Sequence, residues 1–201
     1  MVKADCGGCN GCSRCCHGMG NSIILDPYDV YRMTTGMGKS MQELLAASVE
    51  LNVVDGVILP NLKMQGAEEA CAYLDGEGRC SIHPYRPGIC RLFPLGRYYE
   101  DGGFSYFLQT GECAKENRSK IKVSKWIDTP DLTRNQQFTL QWHDLLHAME
   151  ERLTGEDEGK QREENLLLLR LFYLLPYEGT IDFYTQFTER MEHWNGQNGQ
   201  I

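Results

Sequence analysis

Nine cysteines are the residues of this 201-residue sequence whose type and spacing point to chemistry. Five of them lie in the short run DCGGCNGCSRCCHG near the start of the chain, where thiols recur among glycines. Thiols about three positions apart can converge on one metal ion or cluster, because a glycine-rich turn lets alternate side chains point inward. The run therefore predicts a metal-binding loop.

The cysteine run contains two overlapping patterns. The C-x2-C-x2-C-x3-C spacing of bacterial ferredoxins is matched by Cys6, Cys9, Cys12 and Cys16. In that pattern, His17 stands where the ferredoxin motif has proline. The alternative pattern, CxxCxxCC, is formed by Cys9, Cys12, Cys15 and Cys16. Because the side chains of adjacent cysteines diverge, Cys15 and Cys16 are expected to serve different metals, or one of them to support the site without binding.

Four further cysteines are dispersed over the middle of the chain: Cys71, Cys80, Cys90 and Cys113. The fold would have to bring them together. Four clustered and four dispersed thiolates permit two four-thiolate sites, and they equally permit one site built from both sets. In either arrangement metal binding would cross-link this half of the chain, so binding and folding are expected to be one process there.

Composition and charge exclude several other functions. The net charge of −8 and the absence of a basic run argue against nucleic acid as a partner. The longest apolar run, 166–175, contains Arg170 and falls well short of the roughly 20 residues of a membrane span. The first ten residues lack the basic and apolar segments of a signal peptide, so a reducing cytoplasm is expected. Free thiols in CxxC spacing then indicate metal.

The elements that would position the cysteines can be predicted from local signals. Asp26 and Pro27 predict the start of a helix that ends at 36–38, and Ser40 with Glu43 predicts a capping box for the next helix. From 53 to 107, short β-branched and aromatic pieces alternate with glycine pairs. These pieces predict three hairpins, in VVDGVILP, CAYLDGEGRCSI and GRYYEDGGFSYFLQ.

The last third of the chain has a helical pattern and no cysteine. Apolar residues at helical spacing predict a helix over 132–153, a second over 160–175 that Pro176 ends, and a third over 181–194. The predicted fold class is therefore α+β. The predicted domains are a cysteine-rich metal-binding part with hairpins and two helices (1–125), a helical subdomain (126–195) and a disordered tail (196–201).

Three stretches together resemble a known family. They are CNGCSRCC, ILDPYDVYRMTTGMGKSMQELL and CAYLDGEGRCSIHPYRPGICRLFPLG. They are similar to the CxxCxxCC cysteine-cluster family of zinc- or iron-chelating proteins, which includes the flagellin lysine N-methylase group. The resemblance spans about 9–96 and implies a metal or iron–sulfur site made by these cysteines. Cys6 lies outside the family pattern, which puts its role as a ligand in doubt.

An iron–sulfur cluster, of the 4Fe–4S type, is the predicted cofactor, and zinc is the alternative. Four-thiolate zinc sites usually take one CxxC knuckle from each half, whereas here only one half has them. A compressed run combined with distant cysteines is more typical of an iron–sulfur cluster. The predicted metal ligands are Cys9, Cys12, Cys15, Cys16, Cys71, Cys80, Cys90 and Cys113.

Two arginines flank Cys90 in the segment RPGICR. Arg86 and Arg91 are predicted to bind the cofactor by supplying positive charge beside a buried anionic cluster. Surface pairing with carboxylates and binding of an anionic substrate are the alternatives. Among the histidines, His17 and His83 neighbour cysteines and could replace a thiolate. The pair in HDLLH, His143 and His147, is interpreted as surface residues because no third ligand is evident.

Two classes of function stay open from the sequence. In the first, the chain is a metal-binding protein that takes part in electron transfer, metal handling or docking to a protein partner. In the second, which rests on the resemblance to flagellin lysine N-methylase, it is an enzyme that uses its metal site to modify a protein substrate. No strand followed by GxGxxG is present to favour a nucleotide cofactor.

Overall fold

A computed structural model describes residues 1–5, 12–100, 102–113, 115 and 117–198. Within them, helices are combined with pairs of short antiparallel strands, which confirms the α+β class. The first elements are β1 (Val2–Asp5), α1 (Pro27–Met37), α2 (Met41–Ala47), β2 (Val49–Val54), β3 (Val57–Leu62), β4 (Met64–Gln65), β5 (Ala70–Cys71) and α3 (Gly88–Leu92). They are followed by β6 (Leu95–Glu100), β7 (Gly103–Leu108), β8 (Ser119–Ile121), α4 (Val123–Ile127), α5 (Leu132–Leu153), α6 (Glu158–Leu169) and α7 (Phe183–Asn198).

The helix starts predicted from capping residues are confirmed. The Asp26 carboxylate accepts the backbone N–H of Asp29 at 2.8 Å, and the Asp29 carboxylate accepts the N–H of Asp26 at 3.3 Å, which fixes the first turn of α1. Gly38, at φ 64°, ends α1 in the left-handed region that glycine adopts without strain. Ser40 and Glu43 form the predicted capping box of α2.

Two of the three predicted hairpins form strand ladders, and the third is reduced to a single antiparallel bridge. Strands β2 and β3 pair as one hairpin, and β6 and β7 as another. In CAYLDGEGRCSI a bridge joins Leu74 to Cys80, the N–H of Asp75 donates to the carbonyl oxygen of Arg79 and that of Ser81 to the carbonyl oxygen of Tyr73, at 2.8 Å each, and β5 pairs with β4. The Asp75 side chain closes this turn, since it accepts the N–H groups of Glu77 and Arg79 at 2.9 and 2.8 Å. A turn held by a side chain leaves these donors unavailable for a strand ladder.

The longest-range strand pair has no local signal in the sequence. Strand β1 pairs with β8, so that Val2 lies opposite Ile121 and Lys3 opposite Lys120. Strand pairing across such a separation depends on the rest of the fold, because neither segment has a neighbouring turn that would indicate a hairpin. The pair fastens the start of the chain beside the segment that leads into α4.

The three helices of the last third are confirmed, with different ends for two of them. Helix α5 has the predicted bounds. Helix α6 ends at Leu169 and continues as a π-helical turn over Arg170–Leu174. The buried Arg190 guanidinium holds this turn, since it donates to the carbonyl oxygens of Leu171, Leu175 and Pro176 at 2.7, 3.0 and 2.9 Å. Helix α7 begins at Phe183 and runs to Asn198, and residues 199–201 of the predicted tail lie outside the described residues.

Buried apolar side chains form two separate clusters. The larger one, called here the main core, joins α1–β3 to α5–α7 and includes Tyr28, Phe138 and Phe172. The smaller one, called here the satellite cluster, consists of Leu92, Leu95 and Ile127 with partly buried residues packed around them, Trp126 among them. In the part of the chain that the structure describes, no helix has the length and apolar character to cross a membrane.

Candidate metal centre

Six cysteines line one cavity of about 860 Å³. Residues of both apolar clusters contribute to its walls, with Ile23 and Leu62 from the main core and Leu95 and Trp126 from the satellite cluster. The six residues, called here the thiol cluster, are Cys12, Cys15, Cys16, Cys71, Cys80 and Cys90. The fold thus gathers cysteines of the N-terminal run and dispersed cysteines around a single space.

Short backbone contacts bring the first cysteine run to the dispersed cysteines. Cys15 and Cys16 lie in a 3₁₀ turn, Arg14–Cys16. The next residue, His17, forms a bridge with Ala70, and the N–H of Gly18 donates to the carbonyl oxygen of Glu69 at 3.0 Å. Because Ala70 and Cys71 form β5, these contacts set the Arg14–Cys16 turn beside Cys71.

Cys90 is presented by the short helix α3, which is anchored from α1. The N–H of Gly88, the first residue of α3, donates to Oδ1 of Asp29 at 2.7 Å. Asp29 is 2% exposed, so this acceptor works in a site shielded from water. Three dispersed cysteines, Cys71, Cys80 and Cys90, also pack against the main core, which gives them a rigid support.

The two neighbouring thiols of the 3₁₀ turn have pKa values shifted in opposite directions. A hydrogen bond with Cys16 lowers the pKa of Cys15 to about 6 despite partial burial, and the charge of Arg86 adds to the lowering. The same hydrogen bond, burial and the nearby Cys15, Cys71 and Cys90 raise the pKa of Cys16. Cys15 is therefore the thiol of this pair that ionises first.

The dispersed thiols are influenced mainly by burial. Burial is the first cause that raises the pKa values of Cys71, Cys80 and Cys90. The charge of Cys15 raises all three further, and Asp29 acts in the same direction on Cys90. Thiols that affect one another in this way share one site, and several of them can ionise together only beside positive charge.

The described cysteines do not converge on a single point. All seven are free, and no three His, Cys, Asp or Glu side chains among the described residues are grouped to hold one metal ion. The other two cysteines, Cys6 and Cys9, fall in 6–11, outside the described residues. Cys113 is not among the residues that line the cavity, although its neighbours Gly111 and Glu112 are.

The two predicted cofactor-binding arginines lie in different environments. Arg86 lines the cavity, and its charge lowers the pKa values of both Cys15 and Cys80. The structure gives Arg86 no ion pair or hydrogen bond with any other described residue, although its side chain is half-buried. Its charge is therefore available to the thiols.

Arg91 is buried beside α1 and does not line the cavity. It is 4% exposed, and its guanidinium carbon lies 5.8 Å from the ring centroid of Tyr28. Burial raises the pKa values of Asp26 and Asp29, to about 7 for Asp29, and the charge of Arg91 opposes that rise. Within the described chain, Nε and Nη1 of Arg91 have no hydrogen-bond partner. Arg91 thus balances the buried carboxylates under α3.

Of the four histidines considered in the sequence, two line the cavity and two do not. His17 and His83 both line the cavity. Burial, with a smaller effect of the Arg86 charge, lowers the pKa of His83 and favours the neutral ring. His143 and His147 do not line it, and His143 stacks on Tyr99 with the ring centroids 3.8 Å apart. Only the first pair is placed to contact a group held by the thiols.

Two features of the site are absent from the sequence prediction. One is Asp29, which could have been found from its position three residues after Asp26 at the start of α1. The other is the apolar side of the cavity, where Phe93, Leu95 and Trp126 lie. It has no local signal, because its residues come from separate elements that meet only in the fold.

The fold and the thiol cluster define a class, that of cysteine-cluster proteins with an α+β scaffold. The family model "CxxCxxCC: Putative zinc- or iron-chelating domain" matches residues 8–139. The chain therefore belongs to the CxxCxxCC family. A search of curated proteins and a search of solved structures each returned no match.

Proposed function

We propose that this protein holds an iron–sulfur cluster of the 4Fe–4S type in the cavity of the thiol cluster. The observation that carries the proposal is the convergence of Cys15, Cys71, Cys80 and Cys90 on one cavity beside the free charge of Arg86. The proposed ligands are four thiolates drawn from the six cysteines of the thiol cluster and Cys9 of the adjacent run, since a 4Fe–4S cluster takes four cysteine ligands. Cys113 is a less suitable ligand, since it does not line the cavity.

The spread of the thiols favours a cluster over one zinc ion. Zinc holds its sulfur ligands at about 2.3 Å in a tetrahedron, so its four cysteines must meet at a point. The described cysteines lie around a cavity of about 860 Å³ without any group of three placed for one ion. A cluster distributes its ligands over several irons, and its thiolates then arrive from several directions.

The charges around the cavity fit an anionic cofactor. Burying thiolates requires positive charge or hydrogen-bond donors nearby. Arg86 meets this need directly, because it already lowers the pKa values of two thiols. An electron-transfer, metal-handling or partner-docking role in a reducing cytoplasm follows as part of the proposal, with a protein as partner.

Anaerobic purification with iron, sulfide and zinc analysis tests the proposal. We expect iron and acid-labile sulfide in equal amounts, and visible absorption that bleaches with dithionite. Cys71→Ser and Cys90→Ser should lose the cluster, whereas Cys113→Ser should retain it. A colourless protein with stoichiometric zinc would overturn the proposal.

The two patterns of the first run can be separated in the same assay. Loss of iron in Cys15→Ser but not in Cys6→Ser would support CxxCxxCC. The reverse result would support the ferredoxin spacing, with Cys6 as the ligand in place of Cys15.

A further inference from the structure

The cavity has two parts with different chemistry. Cys71, Cys80 and Cys90 pack against the main core. Leu95 and Trp126 belong to the satellite cluster, and Phe93 and Gln109 line the cavity with them. These four residues, called here the apolar wall, include no cysteine. A group held by the thiols is therefore bound from the main-core side, and the apolar wall contributes no ligand to it.

The cavity is larger than the proposed cofactor requires. A 4Fe–4S core has eight atoms, which fill on the order of 240 Å³ if each takes roughly the 30 Å³ that one water occupies in the liquid. The cavity measures about 860 Å³, within the range of pockets that bind small organic molecules. More than half of the space stays open after the cofactor is placed.

The apolar wall is shaped by fixed groups. The indole N–H of Trp126 donates to the carbonyl oxygens of Leu92 and Phe93 at 3.2 Å each, so the ring is held in place and offers only carbon to the cavity. Leu95 is 3% exposed and rigidly packed. The backbone N–H of Gln109 donates to the carbonyl oxygen of Pro94 at 2.9 Å, which holds that residue beside β6.

One polar group on this wall is free to bind a ligand. The half-buried Gln109 amide has no hydrogen-bond partner in the part of the chain that the structure describes. It offers both a donor and an acceptor. A charged ligand group is disfavoured at this wall, because it would lose its hydration beside Phe93, Leu95 and Trp126 and Gln109 offers no opposite charge in return. Ile89, 40% exposed, also lines the cavity, which therefore reaches the surface and admits a ligand from solvent.

We infer that the apolar wall binds a small, uncharged organic molecule whose apolar part packs on Phe93, Leu95 and Trp126 and whose carboxamide-type group pairs with Gln109. This inference rests on the proposed iron–sulfur function. It adds a binding site for an organic ligand beside the proposed cofactor.

The test uses three probes with the same ring and different head groups: benzamide, benzoate and benzylamine. Each is added to protein whose iron and sulfide content has been measured, and the line widths of the ring protons are recorded before and after reduction with dithionite. We expect broadening of benzamide that increases on reduction, since unpaired electrons broaden only nearby protons. Benzoate and benzylamine should bind at least fivefold more weakly.

Substitution at Gln109 identifies the contact. Gln109→Leu keeps the volume and removes the amide, and it should weaken benzamide binding about fivefold, as expected for one hydrogen bond. Cluster content should not change. The matched control is Gln42→Leu, on the exposed side of α2, which should bind benzamide like the unaltered protein.

The outcomes separate the two proposals. A preparation without iron and sulfide overturns the proposed function and this inference with it. Fully loaded protein that leaves benzamide unbroadened, binds all three probes equally or ignores Gln109→Leu overturns this inference alone.

Discussion

The main core and the satellite cluster differ in what stabilises them. The main core buries aromatic residues from both ends of the chain, such as Tyr28, Phe172 and Trp194. The satellite cluster fully buries only Leu92, Leu95 and Ile127. Since each large apolar side chain contributes about 1.5–3 kcal/mol when buried and ordering one residue costs about 1–2 kcal/mol, three such residues offset the ordering of only a few residues. The cavity between the clusters therefore has one rigid side and one that depends on its surroundings.

The largest expected effect comes from the main core. Phe172→Ala removes a fully buried ring that packs 5.1 Å from Trp142, and it should lower the free energy of unfolding by about 3–5 kcal/mol. Urea denaturation measures the change. Tyr98→Ala is the control, because that ring is 60% exposed and its loss should change stability by less than about 0.5 kcal/mol. Equal effects of the two changes would contradict a stability centred on the main core.

A cavity in the satellite cluster should have a more local effect. Leu95→Ala should cost about 2–3 kcal/mol, the lower part of the range for such changes, since few packed neighbours surround it. Hydrogen exchange should show faster exchange in β6, β7 and the β1–β8 pair, while α5–α7 stay protected. Uniform acceleration across the chain would show that the two clusters unfold together.

The link between α1 and α3 is expected to be intermediate. Asp29→Ala leaves the Gly88 N–H without its acceptor and removes a carboxyl group whose charge interacts with that of the buried Arg91, and it should cost about 1–3 kcal/mol. Asp29→Asn keeps an acceptor oxygen and should cost less. Thermal unfolding at neutral pH compares the two variants. An Asn variant as unstable as the Ala variant would show that charge, not the hydrogen bond, matters there.

The same carboxyl predicts a pH dependence. Burial and the charge of Asp26 raise the pKa of Asp29 to about 7, above the roughly 3.9 of an unfolded chain. Its contribution to stability is therefore full below about pH 4 and is lost as pH rises through about 7. Asp29→Asn does not titrate, so the wild-type protein should lose stability relative to this variant over that range. A difference independent of pH would contradict the raised pKa.

The smallest effect is expected at the edge of the thiol cluster. Arg86→Gln removes a positive charge that acts on both Cys15 and Cys80, and it should shift the reduction potential of the proposed cluster to more negative values without loss of iron. Arg79→Gln is the matched control, since Arg79 also lines the cavity but pairs with Asp75 and Glu77. Equal reduction potentials in the two variants would show that the charge of Arg86 does not act on the proposed cluster.

Local signals in the sequence predict much of the main-core side. The bounds of α5 and the caps of α1 and α2 follow from short-range rules, and the structure has them. One predicted hairpin is shorter than expected, with a single bridge between Leu74 and Cys80 beside a turn that the Asp75 side chain closes. The length of a strand ladder at such a site depends on which acceptor takes each N–H, and glycine spacing does not indicate that.

The satellite side is less predictable for a physical reason. The β1–β8 pair and the apolar wall join segments far apart in sequence, so no periodic pattern marks them. Arg86 and Arg91 look equivalent beside Cys90, yet Arg86, which precedes α3, lines the cavity, and Arg91, within α3, is buried. The hydrogen bond from the Gly88 N–H to Asp29, which sets α3 against α1, lies between them and has no local signal in the sequence.

The main core is built from the first and last parts of the chain, so it can form only after α7 has been synthesised. Tyr28 packs against Phe183, with ring centroids 4.9 Å apart, and the Tyr173 hydroxyl donates to the carbonyl oxygen of Leu25 at 3.0 Å. At roughly 5–20 residues per second, the ribosome needs on the order of 5–20 s after Cys90 to complete α7. Until then the main core, against which Cys71, Cys80 and Cys90 pack, is incomplete. Loading of the proposed cofactor would therefore follow translation, and the nascent thiols would have to stay reduced in the meantime.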